Sequence, residues 1–449
     1  MKLKSGKRAC YLQGVSLFAL PLLIISSAHA QDDTSDTKRL GTVTVTAAKK
    51  EQTLQETPIA VSVVDETVIE KAGIQDLADL QTLVPSLRVD TYQSAAQTSF
   101  KIRGFGNGDN NAGVEPSVGV FIDGVYRSRS AASIADLPNL KRVEVLRGPQ
   151  STLFGKNASA GVISIVTQEP QFEQQGGAEL TYGNYNLVRG KADITGPLSD
   201  NVAYSLSGSF TKRDGYVEDN NLNEDINDKN RWGIRGQLLL EPTDDLTIRL
   251  IADYDQIDEL CCTANNVING PTGAAIEALG GALGPEQPFG YKSYFNFAPT
   301  NEIENYGFSA QADYELSFGT LTSITAYRGS DLVQNSDGDF TTADLLGRFY
   351  TGTEIETFTQ ELRVAGSHEV LDWMIGGFFF DETVSIDNEL FYGQDFRAYA
   401  EILSGGAFSQ IEGLLGFPTG TFGQAGAGLT EQYGVDNTAW SIFGTVDID

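Results

Sequence analysis

From about residue 175 onward apolar residues return at every second position, a rhythm that commits this part of the chain to strands with two unlike faces. In VAYSLSGSF, Val202, Tyr204, Leu206 and Phe210 alternate with Ala203, Ser205, Ser207 and Ser209. LTIRLIADYD sets Leu246, Ile248, Leu250, Ala252 and Tyr254 against Thr247, Arg249, Asp253 and Asp255, and YGFSAQADYEL repeats the pattern with Tyr306, Phe308, Ala310, Ala312, Tyr314 and Leu316. A soluble β-sandwich also alternates. Two details favour lipid on one face: aromatics such as Tyr204, Phe210, Tyr254, Tyr306, Tyr314 and Trp373 recur near strand ends, and short turns (GPLSDN, EPTDD, SFGT, GSHEV) alternate with long loops. The pattern predicts an antiparallel transmembrane β-barrel wall.

About ten strands are expected, near 176–184, 187–196, 202–213, 230–241, 246–258, 303–316, 320–331, 354–366, 371–385 and 437–449. The segment before them, about 120 residues, would have a radius of gyration of ~14 Å if compact, too large for a ten-stranded ring. Closure around it needs about 22 strands, so the wall is expected to be incomplete, with its last strand an open edge.

The first thirty residues have the form of an export signal. Lys2, Lys4, Lys7 and Arg8 precede the apolar stretch VSLFALPLLII, and Ala28-His29-Ala30 supplies a small-x-small cleavage site. The apolar stretch is interrupted by Pro21 and falls short of the ~20 residues of a membrane helix. Without the signal, 27 basic residues face 60 acidic ones, which excludes phosphate-tracking nucleic-acid binding. Two adjacent cysteines remain, Cys261 and Cys262, expected as a vicinal disulfide of an exported loop and not as a metal pair. Only His368 is left for histidine chemistry, no metal or cofactor site is expected, and no catalytic constellation is present, so the chain is not read as an enzyme.

Residues 50–170 read as a small mixed α/β unit. Asp65 is placed to cap a helix with Val68, Ile69 and Ala72 inward and Gly73 at its end. Ile74, Leu77, Leu80 and Leu83 or Val84 predict a second helix up to Pro85, and SFKIRG, SVGVFIDGVY, KRVEVLRG and GVISIVT predict strands. LRGPQSTLFGKNASAG, at 146–161, has the look of a phosphate loop but lacks its spacing: six residues separate Gly148 and Gly155, and Asn157 follows Lys156.

GTVTVTAAK (41–49), IRGFG (102–106), VFIDGVY (120–126) and VEVLRGPQSTLFGKNASAGVISIVTQEP (143–170) occur in the order and spacing that resemble a TonB-dependent outer-membrane receptor. The resemblance implies a mainly β protein: signal 1–30, a flexible segment with a TonB box 31–48, a plug 49–172 and a partial transmembrane barrel 173–449. It implies a box at Thr42, Val43, Thr44, Val45 and Thr46 that adds as a strand to TonB, energised through the inner membrane. The plug motif falls on Arg103, Gly104, Asp123, Gly124, Glu144, Arg147, Gly148, Pro149, Gly155 and Gly161, with Glu144 and Arg147 expected to latch plug to wall. Apices facing the ligand are expected at Asn107, Asn110, Asn111, Tyr126, Arg127 and Arg129, the arginines suiting an anionic chelate. The implied function is active import of a ferric siderophore across the outer membrane of a Gram-negative bacterium, in contact with its lipid and lipopolysaccharide. Cobalamin, haem or an oligosaccharide is the alternative cargo, and a truncated passive product the alternative state.

Overall fold

The computed structural model describes residues 44–46, 49–50, 52–55, 57–92, 94–107, 111–133, 139–264, 266–287 and 289–448. The signal, Thr42, Val43 and Asn110 lie outside them.

The first strands are β1 (Thr44–Val45) and β2 (Gln52–Thr53), which pair with each other. The plug sheet that follows is built from β3 (Val61–Asp65), β6 (Val118–Ile122), β7 (Val125–Arg127), β8 (Leu140–Arg147) and β9 (Gly161–Thr167), in the order β3-β8-β9-β6-β7. β4 (Leu87–Asp90) and β5 (Ser99–Ile102) form a separate pair. β8 and β9 carry branched apolar residues on both faces, and Val143, Val145, Ile163 and Ile165 are fully buried.

The expected first helix spans Glu66–Ala72, capped by the Asp65 carboxylate on Val68 N at 2.9 Å and closed by left-handed Gly73. Only Ile69 of its apolar residues is buried; Val68 faces out. The expected second helix is reduced to a 3₁₀ turn, Asp79–Thr82. Asp76 Oδ1 accepts from Ala78 N and Asp79 N, and Asp79 Oδ2 accepts from Gln75 N, so side chains take the donors that a helix would need. Ile74, Leu77, Leu80 and Val84 still reach the core.

The wall is one sheet of ten strands, each antiparallel to its neighbours: β10 (Gln175–Gly183), β11 (Leu187–Ser199), β12 (Val202–Arg213), β15 (Lys229–Thr243), β16 (Leu246–Leu260), β18 (Thr300–Leu316), β19 (Gly319–Asn335), β20 (Leu346–His368), β21 (Leu371–Tyr392) and β22 (Gly428–Ile448). Among the described residues β10 and β22 are its edges. The remaining strands, β13 (Val217–Asp219), β14 (Glu224–Ile226) and β17 (Lys292–Ser293), make a small sheet in the long loops. Along β12 the wall is polar inside and apolar outside, while elsewhere its inner face also carries apolar residues such as Ile257, Ile303 and Val384 packed against the plug. Ser205, Ser207, Ser209 and Thr211 are buried toward the plug, whereas Leu206 and Phe210 are nearly half exposed, the polarity of a sheet whose outer face meets hydrocarbon. Ring pairs Trp232–Tyr254 and Phe308–Tyr327 flank this outer belt toward the long loops, and Phe318–Trp373 toward the short turns.

In the loop after β19, Asp337 is almost wholly buried and accepts from Asn296 N at 2.9 Å and Phe340 N at 3.2 Å. Burial first, and the Asp339 carboxylate second, push its carboxyl up to about 7. A carboxyl raised by folding stabilises the closed loop when protonated, and that contribution is lost as pH rises through about 7. Hydrogen exchange over 336–345, corrected for intrinsic rates, is expected to be roughly tenfold faster at pH 8 than at pH 6. Asp337→Asn should flatten the dependence; exchange independent of pH in the parent protein would contradict it.

Candidate functional site

The site is the seam where the plug meets the wall. Its centre is set by a two-residue hairpin: β6 and β7 are joined by Asp123 and Gly124, with φ of 48° and 77°. Two left-handed residues in sequence make the turn type that Asp-Gly favours, because its twist matches that of the strands it joins. The turn carries the Asp123 carboxylate to the wall, where it meets Arg235 of β15 and Arg249 of β16, the latter at 3.5 Å. Thr167 N and Thr167 Oγ1 each donate to it at 2.9 Å. Burial alone would raise this carboxyl, but Arg249, Arg235 and the Thr167 donors outweigh it and hold it below the usual carboxylate range.

A second carboxylate continues the seam. Asp253 of β16 faces Arg235 at 3.2 Å, Arg328 of β19 at 2.7 Å and the plug's Arg127 at 3.7 Å. Further toward the long loops, Arg129 of the plug reaches Glu382 of β21 at 3.2 Å. Arg127 and Arg129, expected as ligand-facing apices, are thus both paired with the wall, and Arg129 also borders the long-loop cavity. Both are more than nine-tenths buried and neutralised by acids of the wall. Tyr126 is buried as well, its hydroxyl donating to Ser128 O at 3.1 Å and accepting from Asn157 Nδ2 at 2.7 Å.

The expected latch residues bond within the plug. Glu144 is fully buried, paired with Arg142 at 2.7 Å, and accepts from Thr46 N at 2.8 Å and Thr46 Oγ1 at 3.1 Å. Arg147 donates to the backbone oxygens of Ala60 and Val61 at 3.3 and 3.4 Å. Sequence reasoning missed Arg142, although two opposite charges two residues apart share a strand face, which is the signal that would have found the pair. Glu144 thus fastens the end of the expected box. Val45 beside it is fully buried in a cluster with Leu146, Phe154 and Met374. Lys49 then pairs with Glu361 of β20, and Lys50 with Asp372 of β21 at 3.0 Å and Asp447 of β22 at 3.3 Å, all toward the short-turn end of the wall.

The remaining motif residues are structural. Gly155 lies against Phe378 of β21, and a Cβ on Gly161 would collide with the Leu146 carbonyl oxygen. Gly148, next to Pro149, adopts φ 97° and its N–H donates to Ala160 O at 3.0 Å. Lys156 pairs with Glu115 at 2.5 Å over the Phe380 ring. Arg103 and Gly104 turn the chain after β5 with positive φ, and Phe105 beyond them is 73% exposed. Cys261 and Cys262 are joined by a disulfide.

At the long-loop end the plug and wall enclose a cavity of about 350 Å³, lined by Gln97, Thr98, Asn111 and Arg129 of the plug and Gln334, Thr351, Asn388, Glu431 and Tyr433 of the wall. Asn111 and Arg129 are the expected apices that line it among the described residues; Asn107 accepts from Ser117 Oγ outside it. At the short-turn end Thr46, Lys49 and Lys50 border a second cavity of about 600 Å³.

Residues 53–162 match the TonB-dependent Receptor Plug Domain family. A pesticin receptor of Yersinia pestis is 30% identical over 42% of this chain and 27% of its own length. A ferrioxamine receptor of Yersinia enterocolitica is 25% identical over 98% of this chain and 63% of its own. The crystal structure of the ferric yersiniabactin uptake receptor from Yersinia pestis superposes with a TM-score of 0.63 at 17% identity, over 86% of this chain and 61% of that one. The chain therefore spans less than two thirds of the length of each of these proteins.

Proposed function

Because this chain carries the TonB-dependent receptor plug domain, we propose that it serves energy-coupled import of a ferric siderophore across an outer membrane, with TonB pulling on the segment around Thr44–Thr46. The observation that carries this reading is the chemistry of the seam. Beside the apolar clusters that plug and wall share, the charges of Asp123, Arg127, Arg129, Lys49 and Lys50 are each paired with opposite charges of the wall. Such pairs exchange for water at little net cost once parted, because hydration replaces most of what the pairing contributed. The segment to be pulled lies at the short-turn end, and the cavity that would receive cargo at the other.

The test is uptake of radiolabelled iron from a panel of ferric siderophores in cells carrying the complete reading frame, with and without an uncoupler of the proton gradient. Accumulation that the uncoupler abolishes, with surface binding retained, is the expected result. Accumulation insensitive to the uncoupler would leave only a passive pore; no accumulation of any chelate would remove iron as the cargo.

A further inference from the structure

Resting on the reading of chelate import, we infer that the cavity at the long-loop end selects a ferric chelate that is uncharged or cationic and rich in amide and hydroxyl groups, and rejects polyanionic chelates, with Glu431 as the residue that sets this preference. The basic side chains expected to attract an anion already have acidic partners: Arg127 faces Asp253, and the Arg129 guanidinium faces Glu382. Arg129 and Glu431 are the charged residues that line the cavity. With Arg129 neutralised by Glu382, Glu431 leaves the lining with negative character.

The rest of the lining donates and accepts without charge. Asn388 Oδ1 accepts from Thr351 Oγ1 at 3.0 Å, and Asn388 lines the cavity with Tyr433 and Asn111. Two buried atoms at this edge have no hydrogen-bond partner among the described residues, Gln97 Oε1 and Arg129 Nη2. One accepts and one donates, which fits the N–H and C=O of an amide group. The volume lies within the range of small-molecule pockets. The chain as a whole adds a field of the same sign, with 60 acidic residues against 31 basic, and so disfavours the approach of anions.

Charge separates the two large classes of ferric chelate. Three hydroxamates, each a monoanion, leave a neutral ferric complex, whereas three doubly ionised catecholates leave a trianion. Equilibrium binding of an iron-labelled tris-hydroxamate and an iron-labelled tris-catecholate should be measured on cells displaying the full reading frame, at low ionic strength. The tris-hydroxamate is expected to bind at least tenfold more tightly. Glu431→Lys should narrow that ratio several-fold by improving the tris-catecholate, and Glu431→Gln should narrow it less. Equal or tighter binding of the tris-catecholate by the parent protein, or a ratio that Glu431→Lys leaves unmoved, overturns the inference while leaving chelate import standing. Binding of neither chelate overturns both.

Discussion

Asp123→Ala is expected to unseat the plug, raising the passage of small hydrophilic solutes through the membrane several-fold while the amount of inserted protein stays the same. The carboxylate is almost fully buried and serves Arg235, Arg249 and both Thr167 donors at once. Removing it leaves Arg235 to fall back on Asp253, which already faces Arg127 and Arg328, so three guanidiniums would share one carboxylate. Arg249 keeps the uncharged Gln237 and Thr167, with Glu169 as its remaining carboxylate only at 3.9 Å. Breaking a buried pair by deleting one partner costs about 3–5 kcal/mol, a large fraction of what holds a domain of this size in place. Asp123→Asn keeps one acceptor and should leak less. Arg147→Ala is the control: its bonds end on Ala60 and Val61 inside the plug, so it should leave the leak unchanged. A leak equally small in all three variants would show that the ion pairs do not seat the plug.

The same carboxylate fixes the pH range over which the seam holds. Its folded pKa is lowered, so its contribution is complete above the ordinary aspartate value near ~3.9 and fades only as pH falls below it. The Asp123 contribution is therefore expected to be indifferent to pH between about 5 and 8, unlike the loop around Asp337.

The sequence made the wall legible because its alternation is a direct image of inside and outside. All ten strands lie where the rhythm puts them, and their short-turn ends agree closely: 371–385 became Leu371–Tyr392 and 303–316 became Thr300–Leu316. The long-loop ends were read too short, as with 354–366 against Leu346–His368 and 437–449 against Gly428–Ile448. There the outward positions turn from apolar to charged, as at Glu302, Glu304 and Glu354, while backbone pairing continues. Periodicity reports the face that touches lipid; it does not report how far hydrogen bonding extends beyond it.

The site was legible in its parts but not in its pairings. Asp-Gly announces its turn from two residues, because the turn is a local property. Nothing local states that Asp123 meets Arg235, or that Arg129 meets Glu382 some 250 residues later. The two arginines stood out as basic residues in an acidic chain, but the acids that neutralise them, Asp253 and Glu382, lie on the wall and could not be read from the plug. Glu144 was singled out correctly as a charge that a plug interior must satisfy, yet its partners are Arg142 and the backbone of Thr46. In each case the physics of the single residue was readable and its neighbour was not.

Val45→Pro is expected to abolish energy-dependent uptake, by a hundredfold or more, while ligand still binds at the cell surface. A segment that adds to a partner's sheet does so through its main-chain donors and acceptors, and proline removes a donor and fixes φ. Here β1 already spends those groups on β2, with Thr44 opposite Thr53 and Val45 opposite Gln52. The pairing is only two residues long, and each hydrogen bond contributes about 0.5–1.5 kcal/mol net, so an incoming strand of greater length displaces it. What resists displacement is the side-chain anchorage: Val45 in its apolar cluster, Thr46 on Glu144, and Lys49 and Lys50 on the wall. Pulling on this segment therefore loads Glu144 and the strand β8, second in the plug sheet, which is how a force at the short-turn end would reach the seam. Val45→Ala separates packing from pairing, since it loses the apolar contact but keeps the N–H. It should retain most of the uptake. Equal loss in both variants would assign the effect to the cluster, and uptake by Val45→Pro that still collapses with the proton gradient would place the pulled strand elsewhere in the chain.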